Sequence, residues 1–142
     1  MQVLFLEENE DFDPVMDVLI QLRPTFNRES ITAQVKKQLE QGYRVVYVKS
    51  EGKILAAAGF VVGEKLAWGK HIYIDDLITI ESHRSKGAGA LLINWFKRYC
   101  EEGGYDQLHL DSGVQRFDAH RFYLRERFKI ESHHFSIKDK FR

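Results

Sequence analysis

Apolar residues recur along this chain with two periods, one helical and one extended. Val15, Val18, Leu19 and Leu22 follow at helical spacing behind Asp13 and Pro14, which suit an N-cap and a first helical residue, and Pro24 stops the run. Residues 30–41 repeat the pattern with Ile31, Val35 and Leu39, and Gly42 supplies a C-terminal cap. Residues 87–102 make the strongest helix, with Ala88, Leu91, Leu92, Trp95, Phe96 and Tyr99 as its apolar face and Gly103-Gly104 closing it. Residues 118–126 predict a fourth, shorter helix. Extended runs rich in Val, Ile, Leu, Tyr and Phe predict strands at 3–6, 43–49, 54–62, 71–80 and 107–110, with closing strands at 128–130 and 134–137. The segment 50–53 reads as a hairpin turn and 63–69 as a loop. Ala56-Ala57-Ala58-Gly59 is unusually small for a strand, which suits a group packed close above it. The order is β-α-α-β-β-β-α-β-α-β-β, an α+β or mixed-sheet single domain over residues 1–142.

Composition narrows the class. A chain of 142 residues with 44% apolar residues can bury a real core. It has no apolar run long enough to span a membrane, no signal-peptide pattern and one cysteine, Cys100, so the expectation is a soluble cytoplasmic protein. Net charge is zero, which argues against nucleic acid as the main partner. The charge is uneven: residues 1–83 hold 9 Lys/Arg and 13 Asp/Glu, residues 84–142 hold 12 and 8. A basic half suits an anionic ligand and an acidic half a cationic one.

The densest chemistry lies at Arg84-x-x-Gly87-x-Gly89, with Lys86 between, after a strand and opening a helix. Small residues, cations and the free N–H groups of a helix start together suit a phosphate group. The spacing is not that of the P-loop, and Leu92 stands where a dinucleotide fingerprint needs a third small residue.

This motif, together with Gln115-Arg116-Phe117-Asp118-Ala119-His120-Arg121-Phe122-Tyr123, resembles the GNAT family of N-acetyltransferases. Within it, the chain is most similar to small bacterial members such as the aminoalkylphosphonate N-acetyltransferases. The resemblance implies a mostly antiparallel, twisted sheet of six to seven strands flanked by about four helices. It implies acetyl-CoA as acetyl donor and a small-molecule primary amine as acceptor, with no metal. Backbone amides of Arg84, Ser85, Lys86, Gly87, Ala88, Gly89 and Ala90 would hold the pyrophosphate, and Leu77, Ile78 and Thr79 would pair with the pantetheine arm. The chain departs from the family at Ser85 and Arg127, where glycine is usual, and at Arg116, where Asn is common. Arg127 would then have to end its helix without glycine's freedom at positive φ. Self-association as a homodimer is left open.

Acetyl transfer from a thioester to an amine needs a deprotonated amine, a donor for the oxyanion and a proton for the leaving thiolate. With a pKa of about 10, only about one part in a thousand of an alkyl amine is neutral at pH 7. A carboxylate near the amine can attract the cation and pass its proton out through water. Asp76 matches an acidic position of the similar enzymes and is the leading base or amine anchor. Asp75 is its neighbour, facing the other side of a regular strand unless a bulge intervenes, and Asp111 is a reserve. By the same resemblance Tyr123 is the general acid, a phenol that is neutral at pH 7. Cys100 reads as a core residue, and His120, His133 and His134 fit no common zinc spacing. The rival readings are a non-catalytic CoA-binding or regulatory module of the same fold, an adenine-nucleotide-binding domain that only borrows the loop, and an acetyltransferase acting on proteins.

Overall fold

The computed structural model describes residues 1–80 and 87–141. The elements run β1 (Gln2–Phe5), α1 (Phe12–Leu22), α2 (Arg28–Glu40), β2 (Arg44–Ser50), β3 (Lys53–Lys65), β4 (Gly69–Thr79), α3 (Ala88–Gly103), β5 (Gln107–Leu110) and α4 (Phe117–Arg125). One sheet takes the order β1-β2-β3-β4-β5. Neighbours through β4 are antiparallel, and β5 joins β4 in parallel. The chain divides into two compact units, Met1–Leu110 and Asp111–Arg142.

The first unit holds the sheet and α1 to α3. Helices α1 and α2 place Val15, Met16, Leu19, Ile31 and Val35 in one core with Tyr43, Val45, Tyr47 and Ala57. Each large side chain buried this way is worth about 1.5–3 kcal/mol. Phe60, Phe96 and Trp95 form a second cluster with edge-to-face rings, where α3 meets β3. Among the described residues, no helix is long and apolar enough to cross a membrane.

Helix starts follow local chemistry. Asn27 caps α2 reciprocally with Ser30: the Asn27 side chain accepts from the Ser30 amide at 2.8 Å, and Ser30 Oγ accepts from the Asn27 amide at 2.9 Å. At α1 the cap is Asp11 rather than Asp13, and Pro14 falls inside the first turn, where a missing N–H still costs nothing. Asp11 makes no side-chain capping bond, because its carboxylate is taken by Tyr47 and Lys49 of β2.

Two features of β3 and β4 shape the cleft beside them. Gly59 pairs with Asp76 and Phe60 with Ile74, so Asp75 is an extra residue, a β-bulge. A Cβ on Gly59 would stand 1.6 Å from the Tyr43 hydroxyl. The small residue at the end of the Ala56–Gly59 run is therefore the floor beneath the Tyr43 phenol.

The second unit holds α4 and the segment after it. Helix α4 ends in paired turn bonds, from the Arg127 amide to the Leu124 carbonyl at 3.1 Å and from Phe128 to Tyr123 at 3.0 Å. Arg127 takes φ of +76° to make them, the conformation expected of it. Strands at 128–130 and 134–137 do not form, so the sheet has five strands rather than six or seven. Ile130, Phe135 and Ile137 are exposed. Alternating apolar residues mark a strand only where an edge is available to pair with, and this unit offers no other strand among the described residues.

Candidate active site

The bulge sets two carboxylates on one pocket. On a regular strand Asp75 and Asp76 would point to opposite faces; here both line a cleft of about 270 Å³ between α1, α2 and the sheet. Asp76 is held from two sides. The Tyr43 hydroxyl donates to Oδ2 at 2.6 Å, and Arg23 Nε, from the end of α1, donates to Oδ1 at 3.0 Å. A further Arg23 nitrogen reaches the Asp75 carbonyl at 3.1 Å. The Asp76 side chain is 17% exposed and that of Arg23 is 49% exposed.

Electrostatics separate these groups. Burial, followed by the adjacent Asp76 carboxylate, pushes the Tyr43 phenol far above its ordinary range, so it stays a neutral donor. Asp75 is an exposed residue overall yet lines the pocket. Partial desolvation, and then the Asp76 charge, hold its carboxyl above the usual value, with Arg23 pulling the other way. Two carboxylates against one guanidinium leave the described lining of the pocket with an excess of one negative charge when both are ionised.

Leu77, Ile78 and Thr79 lie on β4 just past the bulge. They pair with Ala58, Ala57 and Ala56 of β3 on one side. On the other side the β4–β5 ladder stops at Ile74 and Leu110. From Asp75 to Thr79 that edge of β4 has no strand partner among the described residues, and its backbone groups suit a ligand that itself carries amides.

Gly87 precedes α3 with φ of +79°, and among the described residues no side-chain cap bond forms at the first turn. An added Cβ at Gly87 would meet nothing within 4 Å among the described residues. The positive φ by itself asks for glycine there. Ala88 and Gly89 are buried in the first turn and Ala90 is partly buried. The N–H groups of a helix start suit an anion. Arg84, Ser85 and Lys86 lie outside the described residues.

Tyr123 belongs to the second unit. It is 9% exposed, packs against the Phe122 and Phe128 rings, and is raised above its ordinary value by burial, with Arg116 opposing. Asp111, in the same unit, lies 3.2 Å from His134 Nδ1. Cys100 is partly buried, which raises its thiol and lowers its reactivity. Among the described residues no three His, Cys, Asp or Glu side chains gather as a metal site.

Sequence reasoning missed Arg23 and Tyr43. The signal for Tyr43 was present in the small run ending at Gly59. Arg23, one residue before Pro24, carried no pattern of its own.

Comparison with known proteins agrees with this architecture. The chain is 29% identical over 132 residues to YhdJ of Bacillus subtilis, described as an uncharacterized N-acetyltransferase, covering 92% of this chain and 93% of that one. A shorter stretch of 60 residues is 35% identical to the aminoalkylphosphonate N-acetyltransferase of Salmonella typhimurium, 42% of this chain and 38% of that protein. Among solved structures, an aminoglycoside N-acetyltransferase in complex with CoA superposes with a TM-score of 0.86 at 11% identity, over 98% of this chain and 94% of that one. Glucosamine-6-phosphate N-acetyltransferase from Arabidopsis thaliana gives 0.77 at 20% identity, over 98% of both chains. These likenesses establish the fold. Residues 7–128 match the acetyltransferase (GNAT) family across most of the chain, and the protein belongs to that family.

Proposed function

We propose that this protein, acting as one acetyltransferase domain, transfers the acetyl group of acetyl-CoA to a primary amine of a small molecule by direct attack. The observation that carries the reading is the Asp76 carboxylate, gripped by Tyr43 and Arg23 beside Asp75, at the point where β4 loses its β5 partner. An ammonium ion is the natural complement of a pocket with one uncompensated negative charge. Asp76 Oδ2 receives one bond from Tyr43 and has a lone pair left for the ammonium. Asp75, whose carboxyl is held high, is suited to take the proton that the amine must lose.

The neutral amine nitrogen attacks the thioester carbonyl, the C–S bond breaks, the thiolate takes a proton and the nitrogen gives up its second one, so that the net proton released is the one passed to Asp75. Tyr123 is assigned the thiolate's proton on family resemblance and on its chemistry, since a buried phenol raised above its ordinary value remains protonated and can donate. The β4 edge at Leu77, Ile78 and Thr79 is assigned to the pantetheine amides. Residues 84–90 are assigned to the pyrophosphate, with Gly87 and the first turn of α3 as the described part.

The test is free-thiol release from acetyl-CoA across a panel of amines: aminoalkylphosphonates, polyamines, amino acids and aminoglycosides. Release above background hydrolysis with one class supports the reading. Absence of CoA binding by calorimetry overturns it, and binding without release to any amine moves the protein to a binding module or a protein acetyltransferase. Tyr123→Phe should lower kcat by about a hundredfold with little change in CoA affinity. An unchanged kcat removes Tyr123 as the acid.

A further inference from the structure

We infer that the acceptor is a compact monoamine with an apolar middle and an uncharged, hydrogen-bonding far end, selected by Gln34 and Gln38 of α2; this rests on the amine acetylation proposed above.

The first argument is charge. Among the described residues, the charged groups lining the pocket are Asp75, Asp76 and Arg23. Arg23 is already engaged twice, by the Asp76 carboxylate and by the Asp75 carbonyl. It is therefore not a free counter-ion for a phosphonate or carboxylate on the acceptor. One incoming ammonium brings the site to neutrality. A second charge of either sign has no partner among the described lining residues and carries a desolvation penalty.

The second argument is the wall. Leu19, Phe26, Ile31 and Val35 supply apolar surface, which favours methylenes or a ring between the two ends of the ligand. Gln34 and Gln38, one helical turn apart, are the uncharged polar groups that α2 brings to the pocket. Their amides are joined, Gln34 Nε2 to Gln38 Oε1 at 2.8 Å, a bond that leaves the Gln34 carbonyl and the Gln38 NH₂ for other partners. That pair can donate to and accept from a ligand amide or hydroxyl, while an ion would be held only by dipoles.

Size is the third. A cleft of about 270 Å³ lies at the small end of the range for ligand pockets, about 300–1,000 Å³. This suits a short amine better than an oligosaccharide.

Three amines with the same number of methylenes between their ends, or nearly so, test this: aminobutyramide, aminobutyrate and putrescine carry a neutral, an anionic and a cationic far end. Thiol release should give kcat/KM for aminobutyramide about tenfold or more above both others, tenfold being 1.4 kcal/mol. Equal or better turnover of aminobutyrate or putrescine overturns the inference while leaving amine acetylation standing. Gln34→Lys, an exposed position that tolerates the change, should move the aminobutyrate-to-aminobutyramide ratio about tenfold toward the anion. An unmoved ratio means that the far end does not lie against α2, and the inference falls. Release with no amine overturns the acetylation reading and the inference with it.

Discussion

Two clusters along β2 are built from the same parts and have different chemistry. Tyr47 donates to Asp11 at 2.6 Å, and Lys49 completes the group at 2.9 Å. Tyr43, four residues earlier and just before the strand, donates to Asp76 at 2.6 Å, and Arg23 completes that group. Each is a carboxylate held by a phenol and a cation. The first is closed: Asp11 is buried, one carboxylate meets one cation, and the bonds from Tyr47 and Lys49 draw the Asp11 carboxyl below its usual value. The second is open: it borders a cleft, and the bulge adds a second carboxylate whose own value is raised. A hydrogen-bonded aspartate is thus not in itself a site. Unbalanced charge beside accessible volume is what distinguishes Asp76 from Asp11.

The sharpest way to break this comparison is to remove the same charge from each. Asp76→Asn keeps the shape of the side chain and loses the attraction for an ammonium. Its kcat/KM for the amine should fall about a hundredfold or more, with acetyl-CoA affinity unchanged by calorimetry. A fall below about threefold would put Asp76 in the same structural class as Asp11. Next in size is Gly59→Ala. The new Cβ must displace the Tyr43 phenol from Asp76, so turnover should drop about tenfold and the overpacked strand should lose about 1–3 kcal/mol of stability, read by thermal melting. Retained turnover would show that Asp76 does not need Tyr43.

Element order was legible because it rests on local periodicity. The apolar stripe of α3, the glycine before it and the glycine pair after it lie within one short stretch of chain, and each took the expected place. Arg127 at positive φ was legible for the same reason, as a helix end without glycine. The grip on Asp76 was not, because residues 23, 43 and 76 come from a helix end and two strand regions whose meeting depends on register. Only the bulge at Asp75, which two adjacent aspartates in a strand already raised as a question, linked pattern to site. The terminal strands were over-read: the pattern at 134–137 is extended in character, but pairing is a property of two segments, not one.

Smaller effects belong to stability. Asp11→Asn should lower Tm by roughly 5 °C at pH 7 and leave turnover within about twofold, since it breaks the closed cluster and touches no part of the cleft. The bound Asp11 carboxyl lies below its unfolded value. Its contribution is therefore present above about pH 4 and lost as pH falls through the lower folded value. The gap between variant and parent melts should close in acid. A large loss of turnover with an intact cleft would tie the two clusters together through α1, and the contrast between them would fail.

Asp75→Asn is the mirror case and the finest discriminator. The Asp75 carboxyl is raised on folding, by desolvation first and by Asp76 second, so its ionised form opposes folding at neutral pH. Removing the charge should raise Tm at pH 7 by a small amount, roughly 1–2 °C, while turnover falls because a proton acceptor has gone. The penalty is full above the folded value of the group. It disappears as pH falls below the unfolded value of about 3.9, so this gap also closes in acid, from the opposite side. At neutral pH the two asparagine variants should bracket the parent, one melting below it and active, the other melting above it and impaired. Melting of Asp75→Asn below the parent at pH 7 would mean that Asp75 is paired as Asp11 is. The pocket would then carry no unbalanced charge, and its claim to an ammonium would rest on Asp76 alone.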